Sequence, residues 1–171
     1  MMQQSDGGMK ILSKEIVCLI LTPALLVLSF PRFNLGFLAW IGLVPLFLAM
    51  NRKSPGRSLL LCLFCGMLFF MGIFRWVFVI PGYTIFHHAL FALYLGSYFG
   101  CFGLAFGFVS RRWGRTQAMF AAPFIWTALE YLRSNFSFLA LPWALLAHSQ
   151  FEYPVIIQIA SVAGTYINDI T

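Results

Sequence analysis

The spacing of the positive charges constrains this chain more than any other feature. Eight of the eleven Lys and Arg residues fall in three clusters, at 10–14, 52–57 and 111–115, and long apolar stretches separate the clusters. Each stretch can cross a bilayer and return, because one span needs about 20 mostly apolar residues. Cytoplasmic loops of membrane proteins are enriched in Lys and Arg. We therefore expect the N-terminus and all three clusters in the cytoplasm, with two hairpins projecting to the other side.

The composition favours a membrane protein over a soluble one. Hydrophobic residues make up 61% of the chain and charged residues 9%, which is more apolar surface than a soluble domain of this size can bury. We predict an all-α, polytopic transmembrane bundle of about five or six membrane helices. Residues 1–15 are expected to form a cytoplasmic tail, and residues 16–171 the transmembrane domain.

The basic residues indicate a lipid partner. The formal net charge is +6, but the charges lie in short loops between apolar runs, where anionic phospholipid head groups are within reach. We therefore predict contact with membrane phospholipids and no binding of nucleic acid.

Turn-forming residues divide the apolar runs into helices. Reversals are expected at Pro31 with Asn34, at Ser54-Pro55-Gly56, at Pro81-Gly82 and at Gly114. The predicted helices cover roughly 16–30, 35–50, 58–80, 85–109 and 117–132, an irregular segment covers 133–154, and a sixth apolar run covers 155–167.

One helix face carries four glycines at spacings of four, three and four. These are Gly96, Gly100, Gly103 and Gly107, and the spacing brings them to one side of the fourth helix. In lipid, small residues let two helix backbones approach closely. The stripe is interpreted as a helix-packing face, with the lining of a lipid-accessible groove as the alternative.

Unusual polarity is concentrated near the end of the fifth helix. Glu130 precedes Arg133 by three residues, so the two can pair on one helix face. Ionisable groups at membrane depth are costly and normally have a partner or a function. The interpretations that stay open are an ion pair at the head-group boundary, a fixed polar anchor for the irregular segment, or a contact for a lipid phosphate.

Further lipid-contact candidates lie in or near the irregular segment. That segment is too apolar for an aqueous loop and too broken for a span, so it is predicted to be re-entrant or to lie at the interface, with Trp143 as an interfacial aromatic residue. Its polar residues include His148, Ser149 and Gln150, of which Ser149 and Gln150 are further candidates. Arg75 and Trp76, late in the third helix, are expected to reach the interface.

No catalytic or metal-binding constellation is present in the sequence. The cysteines lie in apolar runs, where a thiol is a poor nucleophile: Cys18, Cys62, Cys65 and Cys101. The pair His87-His88 has no neighbouring ligand in sequence that would complete a metal site. We therefore predict no catalytic residue, no metal and no cofactor in this chain.

Several segments, in order and spacing, resemble the N-terminal membrane part of apolipoprotein N-acyltransferases. The similarity extends over about residues 16–167. It is carried by 29–40 (SFPRFNLGFLAW), 43–46 (LVPL), 72–77 (GIFRWV), 128–133 (ALEYLR), 142–146 (PWALL), Ser149-Gln150 and 158–166 (QIASVAGTY).

The resemblance implies a bacterial inner-membrane protein of lipoprotein maturation. The family moves an acyl chain from a phospholipid to the amino group of a lipoprotein's diacylglyceryl cysteine. Its catalytic Glu, Lys and Cys belong to a nitrilase-like domain that follows the membrane helices and has no counterpart in these residues. The resemblance therefore carries no catalytic residue onto this chain, and the chain is expected to be truncated in its last helix and inactive alone.

Three functions remain open from the sequence. The first is the membrane domain of such an acyltransferase, whose partners are phospholipids, a lipoprotein substrate or a separate nitrilase-like chain. The second is a stand-alone membrane scaffold that binds lipid or a partner. The third, a small transporter, is disfavoured because intramembrane ionisable residues are few and no inverted repeat is visible.

Overall fold

The computed structural model describes residues 3–136, 139–153 and 158, and all regular elements in these ranges are helical. This confirms the predicted all-α class. The α-helices of the described ranges are α1 (Gln3–Ser29), α2 (Leu38–Gly42), α3 (Val44–Ala49), α4 (Pro55–Ile73), α5 (Ile85–Trp113) and α6 (Arg115–Asn135). Two short 3-10 helices cover Arg75–Val79 and Leu146–Gln150.

The helices pack largely in chain order. Helix α1 contacts α2, α3 and α4, helix α4 packs along α5, and α5 packs against α6. The centre is aromatic and aliphatic, and its most deeply buried large side chains are Phe70, Phe102, Leu26, Leu46 and Leu95. We call the end of the bundle at Pro55 of α4 the basic end and the end at Ile73 the groove end.

Capping and turn residues set several of the helix boundaries. Ser54 caps α4 by accepting a hydrogen bond from the Arg57 N–H at 3.4 Å, and proline at N1 supplies the φ angle that a first helical turn requires. Thr84 and His87 form a capping box at the start of α5. Gly114, with φ of 96°, is the single residue between α5 and α6, and this conformation favours glycine.

The glycine stripe of α5 lies against α4. A Cβ atom added at Gly103 would be 2.4 Å from the Ser58 carbonyl oxygen, and one at Gly107 would be 2.7 Å from the Pro55 Cα. At Gly96 the nearest atom, the Met67 backbone nitrogen, would be 2.9 Å away. The fourth member, Gly100, is less tight, since its Cβ would meet Leu63 Cβ at 3.4 Å. The two backbones are therefore closest near the basic end.

Three of the predicted helices differ from the structure by more than a few residues or by a break. The boundary expected at residue 15 is absent, because α1 is continuous from Gln3 to Ser29. The helix predicted over 35–50 is divided into α2 and α3, since Gly42 ends one and Pro45 lies in the first turn of the other. The helix predicted over 58–80 corresponds to α4, which ends at Ile73 and is followed by the 3-10 helix Arg75–Val79. The sixth apolar run, 155–167, lies outside the described residues apart from Gln158.

Two helices of the described ranges, α4 and α5, are long and apolar enough to cross a membrane. The surface of the bundle is itself apolar, because large hydrophobic side chains are exposed along α4, α5 and α6. Examples are Leu60, Phe64, Phe86, Leu93, Phe108, Phe120 and Phe124. Apolar exposure on this scale is typical of a surface that contacts lipid or another protein.

Candidate functional site

An open groove of about 270 Å³ lies at the groove end of the bundle. It forms where the last turn of α4 and the turn after α1 meet the chain that follows α6. Most of its wall is apolar. The lining residues are Phe30, Pro31, Ile73, Phe74, Trp76, Trp143, Ala144 and His148.

Two tryptophans form one edge of this groove. The ring centroids of Trp76 and Trp143 are 5.7 Å apart, and the two residues are 53% and 52% exposed. Trp76 belongs to the 3-10 helix Arg75–Val79, which follows α4, and Trp143 belongs to the irregular segment. These two parts of the chain therefore meet at the groove. Half-exposed indole rings suit a boundary between apolar and polar surroundings.

Glu130 and Arg133 hold the irregular segment in place. Arg133 donates to the Trp143 carbonyl oxygen at 3.0 Å and to the Ala144 carbonyl oxygen at 3.3 Å. The Glu130 carboxylate accepts a hydrogen bond from the Leu146 N–H at 3.0 Å. The two side chains lie 3.7 Å apart and are both buried. Both side chains therefore bind the backbone of the irregular segment, as the interpretation of the pair as a polar anchor expects.

The backbone of the anchored segment turns sharply at Ala144. Its φ of 54° lies in the left-handed region, which non-glycine residues rarely adopt. The Arg133 hydrogen bonds fall on this turn. Helix α5 also holds the segment, since the Tyr94 hydroxyl donates to the Leu139 carbonyl oxygen at 3.0 Å.

Ser149 and Gln150 lie behind the groove rather than on its surface. Gln150 donates to the Gly36 carbonyl oxygen at 2.9 Å and accepts from the Trp40 indole N–H at 3.2 Å. Ser149 donates to the Leu146 carbonyl oxygen at 2.7 Å. Both polar residues are buried. Their contacts tie the irregular segment to the turn between α1 and α2.

His148 is a groove residue that the sequence did not single out as a candidate. Burial, followed by the nearby Arg133 charge, lowers the pKa of this imidazole below its ordinary value of 6.5. The imidazole is therefore neutral at neutral pH. The only signal in the sequence that could have indicated His148 as a groove residue is its position in the irregular segment, five residues after Trp143.

Arg75 has a different environment from the other candidates. Its side chain is exposed beside the groove, and it forms no ion pair with any residue in the described ranges. A guanidinium in this position is available to a phosphate or a carboxylate.

A second, much smaller cavity lies beneath the anchor. Its volume is about 20 Å³, which is room for about one water molecule. The indole N–H of Trp126 has no hydrogen-bond partner within the described part of the chain. The cavity is lined by Phe70, Tyr98, Phe99, Phe102, Trp126, Leu129, Glu130 and Arg133.

The histidine pair and the cysteines lie outside the groove. His88 is buried, with Nε2 3.1 Å from the Met71 carbonyl oxygen and Nδ1 3.1 Å from the Tyr83 hydroxyl. His88 therefore supplies a hydrogen bond to a carbonyl oxygen in the last turn of α4. Cys62 and Cys65 are buried between helices, Cys18 is partly buried and Cys101 is exposed.

The structure thus places Trp76 and Trp143 in the lining of one groove, with Arg75 beside it and Ser149 and Gln150 behind it. Glu130 and Arg133 do not line the groove but bind the backbone of the segment that carries Trp143. The glycines of α5 lie along α4, away from the lining of the groove.

Comparison with known proteins gives one family. Residues 23–170 match the apolipoprotein N-acyltransferase N-terminal domain. A protein from Geobacter metallireducens named apolipoprotein N-acyltransferase is 30% identical over 162 residues, covering 90% of this chain and 30% of the relative. One of the same name from Chlorobaculum tepidum is 31% identical, covering 92% and 30%. A third, from Rhodopirellula baltica, is 29% identical and covers 81% and 26%. The chain spans about 30% of the length of the first two relatives.

Proposed function

The chain belongs to the apolipoprotein N-acyltransferase family, and we propose that it acts as the membrane domain of such an enzyme. In this proposal the enzyme transfers an acyl chain from a phospholipid to the amino group of a lipoprotein during bacterial lipoprotein maturation. The groups that perform the chemistry are supplied by a nitrilase-like domain, either on the same polypeptide or on a separate chain.

The proposed location is the bacterial inner membrane, with five or six membrane helices and the N-terminus in the cytoplasm. The apolar exposed faces of α4, α5 and α6 support contact with lipid. The clusters at 52–57 and 111–115 support the orientation, because both lie at the basic end of the bundle. The groove then faces the side opposite to the cytoplasm, where the family's catalytic domain is expected.

The observation that carries the proposal is the groove beside Trp76 and Trp143. Its apolar wall suits an acyl chain, and its two indole rings suit the boundary between the chain and the head group. Arg75 lies between the groove residues Phe74 and Trp76, and its side chain is exposed and available to a lipid phosphate. Glu130 and Arg133 act through the backbone, since they hold the segment that presents Trp143.

A photoreactive phospholipid tests the role of the groove. The purified chain in lipid nanodiscs is irradiated with a phospholipid that carries a diazirine on its acyl chain, and cross-linked peptides are mapped by mass spectrometry. We expect cross-links at the groove peptides around Trp76 and Trp143, and a reduced yield there in Trp143→Ala. The matched control is Trp113→Ala, which removes an exposed tryptophan at the basic end and leaves the groove yield unchanged. Cross-links confined to the outer faces of α5 and α6 would contradict the proposal.

The same proposal predicts that this chain alone transfers no acyl group. Acyl transfer through a thiol needs an activated thiolate and groups that stabilise an oxyanion. Cys62 and Cys65 are buried among apolar side chains, and no lysine follows Lys53. Incubation with phospholipid and a diacylglyceryl peptide is expected to give neither N-acylated peptide nor an acyl thioester on the protein. Either product above a control without protein would show that the chain holds a complete site.

A further inference from the structure

The basic end of the bundle contains a cavity that the acyltransferase proposal does not use. Its volume is about 740 Å³. It opens between the loop that precedes α4 and the junction of α5 with α6, at the opposite end of α4 from the groove. The lining is polar and consists of Asn51, Arg52, Lys53, Ser54, Ser110, Arg111 and Arg115.

Specific contacts assemble this cavity from two distant parts of the chain. Arg115, the first residue of α6, donates to the Asn51 side-chain oxygen and, at 3.4 Å, to the Phe47 carbonyl oxygen. The single-residue turn at Gly114 brings the end of α5 beside the start of α6. Arg111, in the last turn of α5, therefore faces the same space as the loop before α4. Packing therefore joins two pairs of cations, Arg52 with Lys53 and Arg111 with Arg115, from distant parts of the chain.

The positive charge in this cavity is only partly neutralised by the described part of the chain. Four of the seven lining residues are cationic, and none is acidic. Glu15 of α1 pairs with Lys53 and with Arg57, and Arg115 is bound to Asn51. Neither Arg52 nor Arg111 has an ion pair among the described residues. Two guanidinium groups are therefore available to the same ligand.

The backbone adds two further features. Arg52 has a φ of 57°, a left-handed conformation that glycine would adopt at lower cost. A long cationic side chain thus occupies a position that local geometry does not favour, which is a feature of functional sites. The N-terminus of the 19-residue helix α4 also borders the cavity through its cap, Ser54, and the helix dipole adds positive potential there.

From these features we propose that the cavity at the basic end binds a phosphate group through Arg52 and Arg111. The planar guanidinium matches phosphate oxygens in a two-pronged arrangement, which lysine cannot reproduce. An anionic phospholipid head group and a soluble phosphate compound share this chemistry. The site is separate from the groove, so it can bind its ligand whether or not the groove binds an acyl chain.

Matched arginine variants test the site. Native mass spectrometry of the purified chain in micelles containing phosphatidylglycerol counts the bound lipids. We expect Arg111→Gln to reduce lipid retention about tenfold, the change typical of one charge-assisted hydrogen-bonding partner. The control is Arg112→Gln, which removes the same charge from the neighbouring residue, exposed and outside the cavity lining, and leaves retention unchanged. Equal loss in both variants, or loss in neither, overturns the proposal.

A second variant separates binding from folding. Arg52→Gly removes a cation but allows the left-handed backbone conformation, so its melting temperature without ligand should equal or exceed that of the wild type. The same variant should bind phosphatidylglycerol about tenfold more weakly. Wild-type binding in Arg52→Gly overturns the role of this residue and, with it, the two-arginine site.

Ligand-dependent melting temperatures identify the source of the phosphate. A rise in the wild type, but not in Arg111→Gln, on adding phosphatidylglycerol supports a lipid head group. The same pattern with inorganic phosphate supports a soluble phosphate compound. No rise with either ligand overturns the proposal, and phosphatidylcholine serves as the lipid control without net charge.

Discussion

At the scale of single residues, Arg133 has the most demanding environment of the groove end. It is 2% exposed, it pairs with Glu130, and its guanidinium carbon lies 5.4 Å from the centre of the Phe70 ring. A buried cation is tolerated only where its hydrogen bonds and its charge are both matched. The carbonyl oxygens of Trp143 and Ala144 supply part of that match.

Replacement of this arginine should therefore cost far more than replacement of an exposed one. We expect Arg133→Gln to lower the free energy of unfolding by about 3–5 kcal/mol, because it leaves the Glu130 carboxylate buried without its cation. The exposed Arg75→Gln should stay within about 0.5 kcal/mol of the wild type. Thermal unfolding in detergent, followed by circular dichroism, measures both. Equal melting temperatures for the two variants would show that Arg133 is not a structural anchor.

His148 should make stability depend on pH. Its pKa is lowered in the folded state by burial and by Arg133, so the unfolded chain binds the proton more readily. The stability contribution is present above the ordinary value of 6.5 and is lost as the pH falls from there through the folded-state pKa. We expect the melting temperature of the wild type to fall more steeply below this value than that of His148→Gln. Parallel slopes in the two proteins would contradict a role for His148.

Sequence reasoning found the ion pair and, as one of its interpretations, the segment that the pair holds, but not the backbone groups that it binds. The three-residue spacing of Glu130 and Arg133 predicts contact on one helix face whatever the rest of the fold does. Their backbone partners in the irregular segment depend on how a non-helical chain turns, as at Ala144, and no propensity predicts that turn. The lipid-contact roles of these residues remain predictions.

At the scale of elements, the α4–α5 interface gives a graded series of glycine variants. Gly103→Ala should destabilise the chain by roughly 1–3 kcal/mol, since its methyl group would lie too close to the Ser58 carbonyl oxygen. Gly100→Ala should be close to neutral, because its contact distance is ordinary. Gly56→Ala, which meets nothing within 4 Å, is the steric control in the first turn of α4 and should not be destabilised. If the melting temperatures of the three variants do not follow this order, the α4–α5 spacing adjusts to an added methyl group.

Helix boundaries were predictable where a single residue decides them. Pro55 and Gly114 mark the starts of α4 and α6 within a few residues of their predicted positions. The division between α2 and α3 was missed although Gly42 and Pro45 flank it, because a continuous apolar run outweighed these two signals. The length of α1 was missed for a different reason: polar residues near the N-terminus suggested a tail, yet they can continue a helix that packing stabilises further along.

At the scale of the whole molecule, the bundle should have one orientation in the membrane. Ser54 and Val79 lie at opposite ends of α4 and its 3-10 extension and are both exposed. In a background without native cysteines, we expect Val79→Cys to react with an impermeant maleimide in intact spheroplasts, and Ser54→Cys only after permeabilisation. His88, after Pro81-Gly82 at the same end of the bundle, is buried and therefore unsuitable for labelling. Reaction at position 54 in intact spheroplasts would show that the topology is opposite to the predicted one.

The hydrogen bonds of Gln150 have a consequence for biogenesis. They join residues 114 positions apart, since Gln150 donates to the Gly36 carbonyl oxygen. A ribosome adds about 5–20 residues per second, so roughly 6–23 s separate the synthesis of the two partners. During that interval the first hairpin is already made while its Trp40 indole lacks its acceptor. The groove therefore cannot be completed until the irregular segment has been synthesised, well after the first hairpin.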